Sequence, residues 1–321
     1  MRGGGMGIRI AAIALPALAL AALMTGCGED DSEQVWDDGA RLYIGSAFGS
    51  DTALAWSPTG SVLIYTSTAE GNPNLYAYNG IGEPVRVSGT AYDESVGPNG
   101  CWTASLNPGL IAFSVVIGDT TASLRTRPGN LGAISTLLTD SSRLLRHPGW
   151  SPDADVLVFA RRGGDVADPT WDLYTAEYEE GSLLSPQILV EEFGHDLLRP
   201  SYSEDGELIL YQRFDGNQHD IWVVNADGSD PRPVVQGSSD DVHPCWAPYQ
   251  GWFVFSSDRD GDYEVYAAAV DGDTLIRVTD DPADDLYPAW NPEIPDIVFS
   301  GDRSSDRYDI YYISEPDLPT T

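Results

Sequence analysis

The chain has 321 residues, 42% hydrophobic and 10% aromatic, with nine tryptophans, which is enough for a large packed core and excludes a disordered polymer. Fifty Asp and Glu stand against 17 basic residues, all of them arginine, for a formal net charge of −33. Such a surface repels nucleic-acid phosphates and anionic lipid headgroups, and a chain without lysine has no Schiff-base or Ser-Lys chemistry.

The first predicted element is a leader. Arg2 and Arg9 precede an apolar run, Ile10 to Met24, which is interrupted by Pro16. This run is too short for a comfortable membrane span, which needs ~20 residues, and suits a secretory h-region. It ends in Leu23-Met24-Thr25-Gly26-Cys27, which resembles the lipobox of bacterial lipoproteins. The resemblance implies cleavage after residue 26 and lipidation of Cys27, with multiple acyl chains giving stable anchoring. Residues 27–40 carry Glu29, Asp30, Asp31, Glu33, Asp37 and Asp38 and read as an acidic flexible tether.

From residue 41 onward a block repeats six times. Trp56 is followed nine residues later by Tyr65, Trp150 by Phe159, Tyr202 by Tyr211, Trp246 by Phe255 and Trp290 by Phe299, with Ala104 and Phe113 as a degenerate copy. Ten to fourteen residues further on come Leu75-Tyr76, Leu124-Arg125, Leu173-Tyr174, Ile221-Trp222, Val265-Tyr266 and Ile310-Tyr311. A period near 45 with several short strands per unit predicts an all-β, six-bladed propeller, four antiparallel strands per blade, over residues 41–315. Residues 316–321 are then a short tail. The repeated aromatics are expected to fill the wedges between blades. The last copy lacks a fourth strand, whereas Arg41-Leu42-Tyr43-Ile44 is an orphan strand ahead of the first. Strand 41–44 therefore completes the last blade and joins the chain ends, removing an exposed edge.

Trp150-Ser151-Pro152-Asp153, Ser256-Ser257-Asp258-Arg259, Asp220-Ile221-Trp222 and Asp280-Asp281-Pro282-Ala283-Asp284-Asp285 resemble the repeats of the TolB-type, WD-repeat-like propellers over about residues 41 to 314. The match is strong in blades 3 to 6 and poor in blade 2. The resemblance implies a bacterial cell-envelope setting and a non-enzymatic module that binds a protein, peptide or glycan. TolB carries an additional α/β domain ahead of its propeller, in a place where this chain has a short tether, so TolB's own role is not carried over whole.

Candidate contacts cluster just before prolines: His147-Pro148, Arg199-Pro200, His243-Pro244 and Tyr287-Pro288, with Asp241 and Asp285 upstream. At the start of innermost strands these residues would share one channel mouth able to grip a ligand; the plainer account is solvated residues that set up the strand. Oligogalacturonate-lyase propellers have similar His-Pro elements, and that resemblance implies the alternative of a metal-dependent enzyme with His147, His195 and His243 around a divalent metal, Ca or Mn. Otherwise no cofactor and no catalytic residue is expected. Asp258-x-Asp260-Gly261-Asp262 lacks the EF-hand order and reads as a hairpin turn. Cys101 and Cys245 fall in opposite blades and are expected to be free thiols. The expected protein is a monomer, touching the membrane through the lipid on Cys27 alone.

Overall fold

The computed structural model describes residues 35, 37–45, 50–88, 94–96, 101–102, 109–117, 121–163, 169–248, 251–303 and 307–314. The leader, Cys27 and residues 315–321 lie outside them. Strand β1 (Arg41–Ile44) comes first. Blade 1 is β2 (Asp51–Trp56), β3 (Leu63–Ser67), β4 (Asn74–Tyr78) and β5 (Val85–Arg86). Blade 2 is β6 (Glu94–Val96), β7 (Cys101–Trp102), β8 (Leu110–Ile117), β9 (Thr121–Pro128) and β10 (Ser135–Asp140). Blade 3 is β11 (Leu145–Trp150), β12 (Val156–Arg162), β13 (Trp171–Glu179), β14 (Ser182–Leu183) and β15 (Gln187–Val190). Blade 4 is β16 (Asp196–Tyr202), β17 (Leu208–Phe214), β18 (His219–Asn225) and β19 (Arg232–Val235). Blade 5 is β20 (Asp241–Trp246), β21 (Trp252–Ser257), β22 (Glu264–Ala269) and β23 (Leu275–Arg277). Blade 6 is β24 (Asp285–Trp290), β25 (Asp296–Gly301) and β26 (Asp309–Ser314), and β1 is its outer strand in the order β1-β26-β25-β24.

The spacing in the sequence is a cross-strand register. Tyr65 faces Tyr76, Phe159 faces Tyr174, Tyr211 faces Trp222, Phe255 faces Tyr266 and Phe299 faces Tyr311. In blade 2 Phe113 faces Arg125. Directly opposed aromatics of this kind stabilise a sheet pair. The six second-strand rings are at most 3% exposed, so they are core. Leu210, Ile221 and Val223 of blade 4 pack on Phe253, Phe255 and Tyr266 of blade 5. Val298 and Ile310 of blade 6 pack on Leu63 and Tyr65 of blade 1, which closes the ring.

Closure draws in residues ahead of β1. Arg41 pairs with Tyr312, Leu42 with Tyr311 and Ile44 with Ile310. Ala40 is fully buried against Phe299 and Tyr311. The Asp38 carboxylate meets Arg303, Oδ2 to Nη2 at 2.7 Å. The flexible tether expected to reach residue 40 therefore ends earlier. Asp38 and Ala40 belong to the seam, because the buried guanidinium of Arg303 needs a second carboxylate.

Carboxylates also clasp neighbouring blades. Asp196 of blade 4 accepts the Trp171 N–H of blade 3 at 2.9 Å. Asp240 accepts the His219 N–H at 2.7 Å, and Asp284 the Tyr263 N–H at 3.0 Å. Each clasp satisfies a backbone donor at the entry to the preceding blade's third strand, the first strand residue at Trp171 and His219 and the residue just before the strand at Tyr263. The Asp258–Asp262 segment is a turn, with the Gly261 N–H donating to the Asp258 carbonyl at 3.0 Å and Gly261 at φ +119°.

Candidate functional site

In five of the six innermost strands the register slips at the same place. Residues 53–54, 147–148, 199–200, 243–244 and 287–288 are the extra residues of a β-bulge. Two residues there oppose one, and the opposed residue is the repeat aromatic of the second strand. The first bulge residue is left-handed every time: Ala53 at φ 57°, His147 at 53°, Arg199 at 57°, His243 at 57° and Tyr287 at 56°. A non-glycine residue there costs roughly 1 kcal/mol, and a following proline restricts it further. The bulge re-aims these side chains. In blade 2 the corresponding Gly97-Pro98 lies outside the described residues.

The re-aimed side chains meet. The His243 and Tyr287 rings stack with centroids 3.8 Å apart and planes 17° from parallel. The Arg199 guanidinium lies 5.1 Å from the Tyr287 ring centroid and hydrogen-bonds to the same tyrosine. The Arg199 backbone N–H donates to His147 Nδ1 at 3.4 Å, and the His243 N–H to Gln212 Oε1 at 3.1 Å. Burial, followed by the charges of Arg199 and Arg146, pushes His147 well below the ordinary histidine range. Burial, then Arg199, does the same to His243. Both rings are neutral at pH 7, beside a charged Arg199 whose own pKa burial lowers.

Arg199, His243 and Tyr287 line an axial cavity of about 340 Å³, which His147 backs through Pro148. Its wall runs past Trp56, Trp150, Trp246 and Trp290 to Ser57, Pro58 and Pro292. The cavity thus extends toward the ends of the inner strands, and the bulge residues sit at its other extremity. Asp241 and Asp285 are not in its wall. They are buried at the strand starts and ion-paired, Asp241 Oδ1 with Arg259 Nη2 at 2.8 Å and Asp285 with Arg303.

His195 is elsewhere, its Nδ1 3.0 Å from the Phe193 carbonyl and 3.4 Å from Glu192. Among the described residues no three His, Cys, Asp or Glu side chains converge to hold a metal. The Arg199 charge acts on both His147 and His243 and no described carboxylate lines the cavity beside them, so this donor set does not fit a divalent cation. Cys245 is a free thiol in the cavity wall, and the side chain of Cys101 lies outside the described residues. A larger groove of about 730 Å³ runs between blades 3 and 4. Of its carboxylates, Asp155 and Asp205 accept the hydroxyls of Ser151 at 2.8 Å and Ser203 at 2.6 Å within their own turns.

Residues 184–316 match the family model described as the TolB beta propeller domain. Over that stretch, less than half of the chain, the protein resembles a TolB propeller. The Tol-Pal system protein TolB of Anaeromyxobacter dehalogenans is 28% identical over 153 residues, covering 43% of this chain and 30% of that protein. This TolB-like propeller thus spans about a third of the length of the curated TolB it matches. A solved structure of a putative TolB from Agrobacterium tumefaciens superposes with a TM-score of 0.61 at 19% identity, covering 85% of this chain and 91% of that one. Oligogalacturonate lyase in complex with manganese gives 0.52 at 13% identity, over 84% and 90% of the two chains. At such identities both structures share the fold.

Proposed function

We propose that this TolB-like propeller is a non-enzymatic interaction module of the bacterial cell envelope, lipid-anchored through Cys27, that seats part of a partner in its axial cavity. The observation that carries this is the convergence of Arg199, His243 and Tyr287, each held in a strained backbone conformation, on one cavity. Strain maintained at the same register in successive blades is a feature of sites that must present side chains in a fixed geometry. A rigid ring with Trp- and Pro-lined walls and a few polar groups suits binding. The matched Tol-Pal protein supports an envelope protein, in preference to a glycan, as the partner.

Crosslinking in intact cells followed by capture tests this, comparing wild type with Arg199→Ala/Tyr287→Ala. A partner band present in the first and lost in the second, with unchanged melting temperature, is expected. Equal capture by both proteins would move the partner site off the axis. Metabolic labelling with palmitate tests the anchor: Cys27→Ser should abolish incorporation.

A further inference from the structure

We propose that the groove between blades 3 and 4 is a second interaction surface, which takes an arginine-bearing segment of a protein partner. It is separate from the axial cavity and goes beyond the reading above.

An irregularity of blade 3 opens this groove. Phe159 and Tyr211 stand 52 residues apart, whereas Tyr211 to Phe255 and Phe255 to Phe299 are 44 each. Part of the surplus lengthens β13 to nine residues, which turns at Glu180 (φ 48°) and Gly181 (φ 87°) into the short β14. The chain then leaves the sheet: Leu183 faces Tyr178 and Gln187 faces Thr175, so three residues stand opposite two. This bulge leaves Leu184 41% exposed in the groove wall, its N–H on the Glu177 carbonyl at 2.8 Å. Gly206 of blade 4 abuts Pro152 of blade 3 across the groove. Its volume of about 730 Å³ falls within the range of ligand sites.

Charge identifies the occupant. Asp153, Asp155, Glu177 and Asp205 line the groove, and no basic residue does. Elsewhere carboxylates that lie beside aromatic rings have arginine partners: Asp140 has Arg161, Glu192 has Arg213, Asp241 has Arg259 and Asp285 has Arg303.

Those four arginines show what a guanidinium prefers in this fold. Each lies over a ring while it meets its carboxylate: Arg161 is 5.2 Å from the Tyr174 centroid, Arg213 4.8 Å from Trp222, Arg259 4.8 Å from Tyr266 and Arg303 5.0 Å from Phe299. The groove repeats that combination without an arginine of its own. Tyr202 forms part of its wall, and burial, followed by the charge of Asp155, pushes the Tyr202 hydroxyl up to about 12. A ring beside carboxylates attracts a cation. A planar guanidinium both stacks and bonds two oxygens, which an ammonium does not. Among the described residues no three acidic, His or Cys side chains converge to hold a metal ion, so the charge these carboxylates suit is a spread one. Leu184 and Pro152 offer apolar cover to the residues beside the arginine.

Isothermal titration at physiological salt tests this with acetyl-Ala-Leu-Arg-Leu-Ala amide, its lysine counterpart, and the citrulline analogue, which keeps the shape of arginine and removes the charge. The arginine peptide should bind wild type about tenfold tighter than the citrulline peptide, from a ring contact and exposed ion pairs together, and several-fold tighter than the lysine peptide. Asp153→Asn/Glu177→Gln, at two exposed positions, should cut the preference over citrulline to about twofold, and Leu184→Ser should weaken both peptides. Glu83→Gln/Asp273→Asn removes the same charge from exposed positions in blades 1 and 5 and should leave binding unchanged. Equal binding of the arginine and citrulline peptides, or no binding of the arginine peptide, would overturn the proposal. So would equal weakening by the two double variants, since the net charge of the chain would then be the attractant. Lysine binding as tightly as arginine would overturn the stacked guanidinium.

Discussion

Arg303, from the turn after the second strand of blade 6, grips Asp38, three residues ahead of the first strand of the chain, through Nη2–Oδ2 at 2.7 Å and Nη1–Oδ1 at 3.0 Å. The same guanidinium holds Asp285, Nε to Oδ1 at 3.0 Å. The side chains of Arg303 and Asp285 are fully buried and that of Asp38 nearly so. Burial opposes the charge on Arg303, but the two carboxylates hold its pKa above the ordinary arginine value. Burial also pushes Asp285 up, against the pull of Arg303. The seam is therefore fastened ionically as well as by strand pairing.

Breaking that triad at its centre leaves two buried carboxylates uncompensated. Arg303→Gln should cost about 3–5 kcal/mol, and Asp38→Ala less, since Asp285 remains to neutralise the arginine. Urea unfolding of both variants checks the order. Deleting residues 41–44 exposes the edge of β26 and should cost several kcal/mol; an unchanged melting temperature would refute closure by that strand.

A second carboxylate sits at an equivalent place without its arginine. Asp51, Asp241 and Asp285 face Ser67, Ser257 and Gly301 across the first strand pair. Two residues beyond those partners stand Ala69, Arg259 and Arg303. Asp51 is 2% exposed and its Oδ1 has no partner. Burial, with a further contribution from the charge of Asp309, pushes its pKa to about 6 from 3.8. Between those values the folded form holds a proton that the unfolded chain has released, so stability falls as pH rises through about 4 to 6. At neutral pH the buried charge costs about 3 kcal/mol. Asp51→Asn should be more stable than wild type at pH 7.5 by about 2–3 kcal/mol, and the difference should vanish near pH 4. Ala69→Arg should recover part of the same gain. Thermal melts across pH measure both.

Left-handed strain is open to a direct test at Ala53, the one bulge residue of the five without a functional group to present. Ala53→Gly should stabilise the protein by about 0.5–1 kcal/mol, read as a shift in denaturation midpoint at unchanged slope.

The repeat aromatics give the opposite sign. Phe255 is fully buried between Phe253 and Tyr266. Phe255→Ala should cost about 3–5 kcal/mol and Phe255→Leu appreciably less, with the same ranking at Phe299.

The ring was legible in the sequence because a propeller repeats its packing problem: Trp246, Phe255 and Tyr266 recur as Trp290, Phe299 and Tyr311, and those intervals are strand lengths plus turns. The orphan strand 41–44 was legible by subtraction. Blade 2 was the least legible, since Arg125 stands where its neighbours have an aromatic. The candidate site was half visible. His-Pro and Tyr-Pro pairs marked the right positions, but nothing in their composition announces a left-handed bulge, which is set by how two residues oppose one ring. Asp241 and Asp285 looked like mouth residues because a buried ion pair and an exposed carboxylate read alike in one dimension; their arginines lie 18 residues downstream. Asp38 was hidden for the same reason, its partner being 265 residues away.

The clasps formed by Asp196, Asp240 and Asp284 all point one way around the ring, each reaching back to the blade made before it. Losing one of these carboxylates therefore strands a backbone donor in the neighbouring blade as well as loosening its own. Part of the chain's acidity is consequently mortar between sectors, and replacing these aspartates to lower the net charge would unpick the wall it was meant to polish.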